Sequence, residues 1–193
     1  MIAGWKYQTE KTALVPYDKA WPAFPDGLLG HLYLRAKEDN LLATTFCGMP
    51  TPNFDSFVSY LSGKGVLVQI YCLQGEDGAL TPAGFCFLHG VDGPDGARMA
   101  MFGFCFFREY WGRTEVRELV WACLAYWFEV IKVDVLYGIT RLDNFLARNF
   151  SRNFGFREIA VLPKFLYSGG VRTDARLVLL ERSSFIPPAW LKA

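Results

Sequence analysis

The sequence lacks the features of a membrane-spanning or nucleic-acid-binding protein. No apolar run approaches the roughly 18 residues of a membrane-spanning helix, and the nearest candidate, Leu119–Ile131, has 13 residues and contains Glu129. Lysine and arginine form no run, and 20 basic against 19 acidic side chains leave a formal net charge of +1. We therefore expect neither a nucleic acid nor a membrane as a partner.

Secretion and metal-binding signals are also missing. The first residues lack the apolar segment of a signal peptide, and we expect a cytoplasmic protein. The five cysteines are an odd number, mostly within apolar runs, and no two form a C-x-x-C pair. This pattern indicates buried reduced thiols rather than disulfides. Cys86 and His89 supply too few ligands for zinc, so we expect no metal site.

A large hydrophobic core is what the sequence does contain. Hydrophobic residues make up 52% and aromatic residues 17% of the 193 residues, which fits one folded domain. We expect an N-terminal arm over residues 1–27, a domain over residues 28–182 and a C-terminal tail over residues 183–193. A short strand near Thr12–Val15 is predicted within the arm.

The first half of the predicted domain reads as helix and antiparallel sheet. Residues 28–46 fit a strand followed by a helix, or one longer helix, and Phe54–Leu61 has the apolar spacing of a helix. Three strands joined by glycine-containing turns then predict an antiparallel meander. They are Val66–Leu73, Ala83–His89 and Arg98–Phe107. The third is apolar on both faces, which predicts a central strand covered on both sides, and Gly103 within it marks a bulge or a close backbone approach.

The second half predicts a parallel strand pair followed by an antiparallel one. Arg113–Ile131 is a long amphipathic helix between the third strand and Val135–Thr140, and this order implies a crossover connection. A helix over Leu142–Phe154 closes at Gly155. A final strand pair, joined by a long link through Pro163 and Gly169-Gly170, completes a mixed α/β fold with helices on both faces of the sheet. Its strands are Phe156–Leu162 and Arg176–Glu181. Trp121 lies off the apolar stripe of its helix, which suggests a dimer face.

The turn Arg108–Thr114 joins the central strand to the long helix. Gly112 permits a tight path, and free backbone N–H groups at a helix start attract anions. Arg108, Arg113 and Arg117 add positive charge. The turn therefore predicts a phosphate-binding site; the alternative is an ordinary turn whose acidic residues cap the helix.

The order of elements and one later segment resemble the GCN5-related N-acetyltransferase (GNAT) superfamily over residues 28–182. Asn144, Ala147, Gly155 and Phe156 stand at the spacing of that family's Asn-x-x-Ala … Gly-Phe helix.

The glycine turn shows a more specific similarity. Trp111-Gly112-Arg113 resembles the turn of the ribosomal-protein-acetylating branch. It departs from the wider family consensus, since Trp111 replaces Gln or Arg, and Thr114 and Val116 stand where Gly or Ala is usual.

The resemblance implies an enzyme that transfers an acetyl group from acetyl-CoA to an unknown amine by direct attack in a ternary complex. It further implies that the third strand splays from Val135–Thr140 and leaves a gap for the cofactor. The residues implied in cofactor binding are Phe104, Phe106, Phe107, Arg108, Gly112, Arg113, Thr114, Asn144 and Ala147.

No strong general base is obvious, and three residues are weighed for catalysis. His89 and Glu109 are candidate bases, each with a purely structural alternative. Ser151 stands where many family members carry a tyrosine acid; its alternative is a simple surface residue. Two other functions stay open. One is a degenerate family member with a binding or structural role and no catalysis. The other is a transferase of a longer acyl or aminoacyl group, which the phenylalanines of the third strand would accommodate.

Overall fold

The computed structural model describes residues 9, 11–17, 27–46, 51–168 and 170–191. Most of the predicted arm, and Cys47, lie outside these described residues. The helices and strands are β1 Thr12–Pro16, α1 Leu28–Glu38, α2 Leu42–Thr45, α3 Phe54–Leu61, β2 Val66–Gln74, β3 Leu80–Asp92, β4 Met99–Phe106, α4 Thr114–Glu129, β5 Val135–Arg141, α5 Phe145–Asn153, β6 Arg157–Ser168 and β7 Val171–Glu181.

The strands form one seven-stranded mixed sheet in the order β1-β2-β3-β4-β5-β7-β6. The predicted meander β2-β3-β4 is antiparallel, and β4 pairs with β5 in parallel, as the crossover arrangement requires. The mixed α/β fold class and the central position of β4 are therefore confirmed.

Helices cover both faces of this sheet, and aromatic contacts define the two faces. On what we call the α1 face, Phe57 of α3 packs edge-on against Phe85 of β3, with ring centroids 5.7 Å apart. On the opposite, α4 face, Phe104 of β4 stacks on Trp127 of α4 at 5.4 Å. No helix among the described residues is long and apolar enough to span a membrane.

Three sequence predictions about helices, strands and the link between two strands need correction. Residues 28–46 contain two helices separated by residues 39–41, so neither the strand-and-helix alternative nor the single longer helix is correct. Leu28, Leu32 and Ala36 are buried at helical spacing on the first of them. The predicted arm is not merely packed on the domain, since β1 pairs along its whole length with β2. The predicted long link after Leu162 is also absent: β6 and β7 continue as a hairpin, and a register shift at Leu162–Leu166 accommodates the proline.

Trp121 does not mark a free face. Its ring lies 5.1 Å from that of Phe154 at the end of α5 and 5.8 Å from that of Phe185 in the C-terminal tail. Contacts within the chain therefore account for this residue, and it no longer supports a dimer.

The described cysteines are buried, as predicted. Cys72, Cys86, Cys105 and Cys123 are free, and burial raises the pKa of Cys72 and of Cys105 to about 12. Cys86 and Cys123 flank Gln69, whose side-chain oxygen accepts a hydrogen bond of 2.7 Å from the Trp127 indole. This buried polar cluster ties α4 to the centre of the sheet.

Gly103 in β4 makes room for a ring of the neighbouring strand, which differs from both of its predicted roles, a bulge and a close backbone approach. It lies opposite Phe87 of β3, and a Cβ atom at Gly103 would lie 2.2 Å from Cζ of the Phe87 ring. The ring thus occupies the space that any side chain at this position would need.

We expect Gly103→Ala to lower the free energy of unfolding by about 1–3 kcal/mol, because the added methyl group overpacks the site. In a Phe87→Leu background, which removes the outer ring atoms, the same change should cost clearly less. Urea unfolding of the unchanged protein, the two single variants and the double variant gives the cost of Gly103→Ala in each background. Equal costs in the two backgrounds would show that the ring contact is not the reason for glycine.

Candidate functional site

A gap opens between the two central parallel strands. The pairing of β4 with β5 covers only three positions and ends at Met101 opposite Tyr137. Beyond that point β4 stays paired with β3 as far as Phe106, and β5 stays paired with β7 as far as Arg141. The two strands therefore separate, which confirms the predicted splay. We call the end at Met101 the inner end and the end at Phe106 the outer end of the gap.

Backbone groups of β4 face this gap. The N–H of Phe107 donates to Ala83 on the β3 side (3.0 Å), whereas the carbonyl of Arg98 accepts from Val135 on the β5 side (3.0 Å). Because backbone groups alternate sides along a strand, those of Phe102, Phe104 and Phe106 turn toward the gap. The Phe102 N–H still meets the Tyr137 carbonyl in the last parallel pair. Among the described residues, the Phe102 carbonyl and both backbone groups of Phe104 have no strand partner there, so an extended amide-containing ligand could pair with them.

Phe106 and Phe107, at the outer end of the gap, offer fewer free backbone groups to a cofactor than predicted. The carbonyl of Phe106 already accepts a 2.7 Å hydrogen bond from the Trp111 indole. Phe107 is turned to the other side: its N–H is bound to β3, and its ring is buried on the α1 face beneath the Arg35 guanidinium. Phe107 is therefore wrongly predicted as a residue that faces the cofactor gap.

The outer end leads into an uncapped helix start. Gly112 has a φ of 78°, in the left-handed region that favours glycine, and a Cβ atom there would meet nothing within 4 Å. Arg113 precedes α4 without a side-chain capping bond. Within the described ranges, no acceptor takes a hydrogen bond from the amides of Thr114 and Glu115. These amides and the helix dipole can bind an anion.

Two of the predicted arginines lie beside this helix start. Arg108 donates to Asp39 at the end of α1 through its backbone N–H (2.7 Å) and its Nε (2.8 Å), and its guanidinium lies 5.5 Å from the Trp111 ring. Arg113 donates from Nε to the Glu109 carbonyl (3.2 Å). Both side chains are anchored through part of the guanidinium, which leaves charge at the mouth of the gap.

The two candidate bases lie at opposite ends of β4. Glu109 follows the outer end and pairs with Arg35 of α1 at 2.5 Å. His89 lies opposite Met101, at the inner end. Strand residues rise by about 3.3 Å each, so Met101 and Glu109 are separated by roughly 20 Å or more along the chain direction. Only His89 lies near the end that is remote from the anion site.

His89 belongs to the α1 face of the sheet. Its Nδ1 lies 3.2 Å from the Tyr60 hydroxyl, and its exposed ring meets the Tyr60 ring edge-on at 5.5 Å. If Nδ1 donates to the tyrosine oxygen, Nε2 keeps a free lone pair that accepts a proton. An amine that arrives over the α1 face would meet this nitrogen, directly or through water.

In the α5 segment, the side chains of Asn144 and Ser151 form hydrogen bonds with the backbone of their own helix. The Asn144 side-chain oxygen accepts a hydrogen bond from the Ala147 amide (3.0 Å) and so caps the start of α5. Ser151 is buried, so the surface alternative is wrong, and its hydroxyl donates to the Ala147 carbonyl (2.8 Å). Since that proton is committed to the helix, Ser151 is poorly placed as an acid. Phe150 of α5 contacts the Phe104 ring at 5.2 Å, which places α5 along the gap.

Several site residues were not found by sequence reasoning. Sequence reasoning gives Trp111 a place only in the family comparison of the turn, yet its indole binds the Phe106 carbonyl at the outer end. Arg35 and Asp39 of α1 hold the turn from more than sixty residues away in sequence, and no local pattern indicates such a contact. Gly138 of β5 accommodates the ring of Phe102 across the gap, a pairing that only the sheet register reveals.

Comparison with known proteins now identifies the family. The sequence profile described as "Acetyltransferase (GNAT) domain" matches residues 51–157, which is more than half of the chain. The chain belongs to the GNAT acetyltransferase family. This membership supports the predicted activity, acetyl transfer from acetyl-CoA to an amine. No curated protein sequence matches the chain significantly.

Solved structures agree on the fold of this GNAT protein. A spermidine N-acetyltransferase from Vibrio cholerae in complex with CoA and spermine is 17% identical with a TM-score of 0.71, over 91% of this chain and 98% of that one. A structure described as a probable acetyltransferase is 15% identical with a TM-score of 0.68, over 92% and 96%. A spermidine/spermine N-acetyltransferase SpeG from Vibrio cholerae with manganese ions is 16% identical, with a TM-score of 0.61 over 90% and 94%. In the GNAT chain itself, the described residues contain no group of three potential metal ligands.

We expect Arg113→Glu to weaken CoA binding at least tenfold, because it replaces a charge-assisted contact with repulsion at the phosphate site. Titration calorimetry with CoA measures the change. The matched control is Lys64→Glu, which reverses an exposed charge on the turn before β2, next to the inner end. Equal effects of the two variants would refute this placement of the phosphates.

Proposed function

We propose that this GNAT protein transfers the acetyl group of acetyl-CoA to a small or protein-borne amine, with both substrates bound together. The observation that carries the proposal is the continuous path from an uncapped helix start, through a gap lined by unpaired β4 backbone, to the inner end beside His89. The outer end of this path binds anions, and its middle binds amides. Beside its inner end, His89 offers a proton acceptor on the α1 face of the sheet. We propose residues 28–182 together with β1 as the acetyl-CoA-binding domain.

The cofactor fits the groups that the path presents. The amides of Thr114 and Glu115, the guanidinium groups of Arg108 and Arg113, and the turn at Gly112 would hold the phosphates. The gap-facing carbonyl of Phe104 would pair with the amides of the pantetheine arm. At Phe106 only the N–H remains for such pairing, because Trp111 occupies the carbonyl. Asn144 and Ala147 contribute by placing α5 along the arm.

The thioester supplies an activated acetyl group, and its leaving group is a thiolate of low basicity. The protein therefore has two tasks, which are to stabilise charge on the carbonyl oxygen and to remove a proton from the amine. The N–H of Phe104, the first on β4 that faces the gap without a strand partner, would stabilise negative charge on the thioester carbonyl oxygen, which leaves the Phe104 carbonyl for the pantetheine amides. His89 would take a proton from the amine, directly or through water. Ser151 and Glu109 have no part in this scheme, because their polar groups are bound elsewhere.

An α-amino group is the acceptor that this site favours. Such a group, with a pKa near 8, is roughly 10% neutral at pH 7, whereas an alkylamine with a pKa near 10.4 is below about 0.1% neutral. One exposed histidine is a modest base, so an amine that is already partly neutral reacts more readily. The Trp111-Gly112-Arg113 turn, similar to that of the ribosomal-protein-acetylating branch, also favours a protein N-terminus. Polyamines are the second candidate, because the structural neighbours include spermidine N-acetyltransferases.

We also propose a cytoplasmic location. The four described cysteines are free, and a reducing compartment keeps thiols in this state.

The proposed activity is tested by melting and by thiol release. Acetyl-CoA at 100 times its dissociation constant should add about 2.7 kcal/mol to stability and raise the melting temperature. Free CoA thiol should then appear with peptides that carry a free N-terminus, and more slowly with spermidine. The matched control is the same peptides with blocked N-termini. A protein that melts unchanged at millimolar acetyl-CoA is not an acetyltransferase, and one that binds without transfer to any amine is a binding protein.

His89→Gln should lower kcat/KM for the amine about 10²–10⁴-fold at pH 7. The loss should shrink as pH rises toward 9, because the amine then loses its proton without help. His31→Gln is the matched control, since His31 is an exposed histidine of α1 whose ring contacts Phe107 rather than the gap. A loss that is the same at pH 7 and pH 9 would speak against proton transfer by His89.

A further inference from the structure

An aromatic ring closes the inner end of the gap. Phe102 and Gly138 are the residues that follow the last β4–β5 pair, Met101 opposite Tyr137. The Phe102 side chain reaches across the opening and lies over Gly138, where a Cβ atom would stand 2.7 Å from its Cζ and 2.8 Å from one Cε. The glycine therefore gives the ring its place, and the ring bridges the two strands where they begin to separate.

This ring is supported from behind. Its centroid lies 4.6 Å from that of Phe156, which is buried at the junction of α5 and β6, and 5.2 Å from that of Phe104 on the same strand. Phe102 itself is partly exposed. It thus presents one side toward the gap while the other rests on a fixed apolar wall.

The direction of the gap decides what meets this ring. The anion site lies at the outer end, beyond Phe106, and the gap runs inward from there over about four strand residues, roughly 13 Å. An acyl-CoA whose phosphates bind at the outer end therefore points its acyl group toward Phe102. Each further methylene of the acyl chain would have to displace the ring or the Phe156 wall behind it.

We propose that Phe102 sets the acyl chain length of this protein and restricts it to acetyl and other very short groups. The proposal rests on the proposed function, since it assumes that an acyl-CoA lies in the gap. It also answers the open question of a longer acyl chain: phenylalanines do line the gap, but one of them blocks its inner end.

The test compares binding of acetyl-CoA and butyryl-CoA, which needs no knowledge of the acceptor. The unchanged protein should bind acetyl-CoA at least tenfold more tightly than butyryl-CoA, in line with the discrimination of 10–200-fold that one excess methylene causes in a pocket of fixed size. Phe102→Ala should bring the two dissociation constants within about threefold of each other. Calorimetry or ligand-induced melting shifts give the ratio.

The control removes the same side chain elsewhere. Phe185→Ala deletes a ring that packs on Trp121 and Phe128 of α4, and it should leave the ratio unchanged. Phe102→Leu keeps an apolar side chain of smaller reach and should lower the ratio of the two dissociation constants by an intermediate amount. This variant replaces Phe102→Ala in the test if the alanine variant does not fold.

The outcomes separate the two proposals. Equal affinity of the unchanged protein for the two thioesters, or an unaltered ratio in a folded Phe102 variant, overturns the role of Phe102 and leaves the acetyltransferase proposal standing. Failure of the unchanged protein to bind any acyl-CoA overturns both. A ratio that falls in Phe185→Ala as much as in Phe102→Ala also overturns the role of Phe102, because general loosening would then explain the effect.

Discussion

The separation of β4 and β5 after three paired positions is the constraint on which the site depends. A strand at the centre of a sheet normally has both rows of backbone groups bound, and leaving one row open costs free energy unless water or a ligand takes it. Here the partly exposed stretch Met101–Phe104 is the consequence, and it explains why β4 is not covered along its whole length as an apolar central strand is expected to be. The gap therefore arises from strand divergence rather than from a missing side chain.

Contacts from distant elements hold both ends of this gap. At the outer end, Arg35 and Asp39 of α1 bind the turn after β4, and the Trp111 indole fixes the carbonyl of Phe106. The α1 contacts are exposed and individually weak, but together with the left-handed Gly112 they hold the amides of the helix start in place. At the inner end the Phe102 ring packs over Gly138. Polar contacts thus shape the end proposed to bind phosphate, and an apolar contact shapes the end proposed to receive an acyl group.

The α5 segment shows that a family pattern and a chemical role are different things. Asn144 and Ser151 occupy family positions, yet both bind the backbone of their own helix. The pattern predicted the helix and its closure at Gly155 well, because capping and packing depend on local geometry. It predicted less about proton transfer, since that depends on which acceptor a hydroxyl meets in the fold.

Hydrophobic periodicity in the sequence by itself determined the elements that bury one face, such as α3 over Phe54–Leu61 and the long helix α4, because burial of every third or fourth residue leaves a direct trace. Other features followed from other signals: the turn from Gly112, the buried thiols from cysteines within apolar runs, and the crossover from the order strand, helix, strand. The tertiary structure alone decided that Phe107 turns away from the gap, that Arg35 and Asp39 hold the turn after β4, that His89 and Glu109 lie at opposite ends of β4, and that Phe102 meets Gly138. These facts depend on sheet register and on contacts between residues far apart in the chain, and a shift of one residue in register would reverse each of the strand facings.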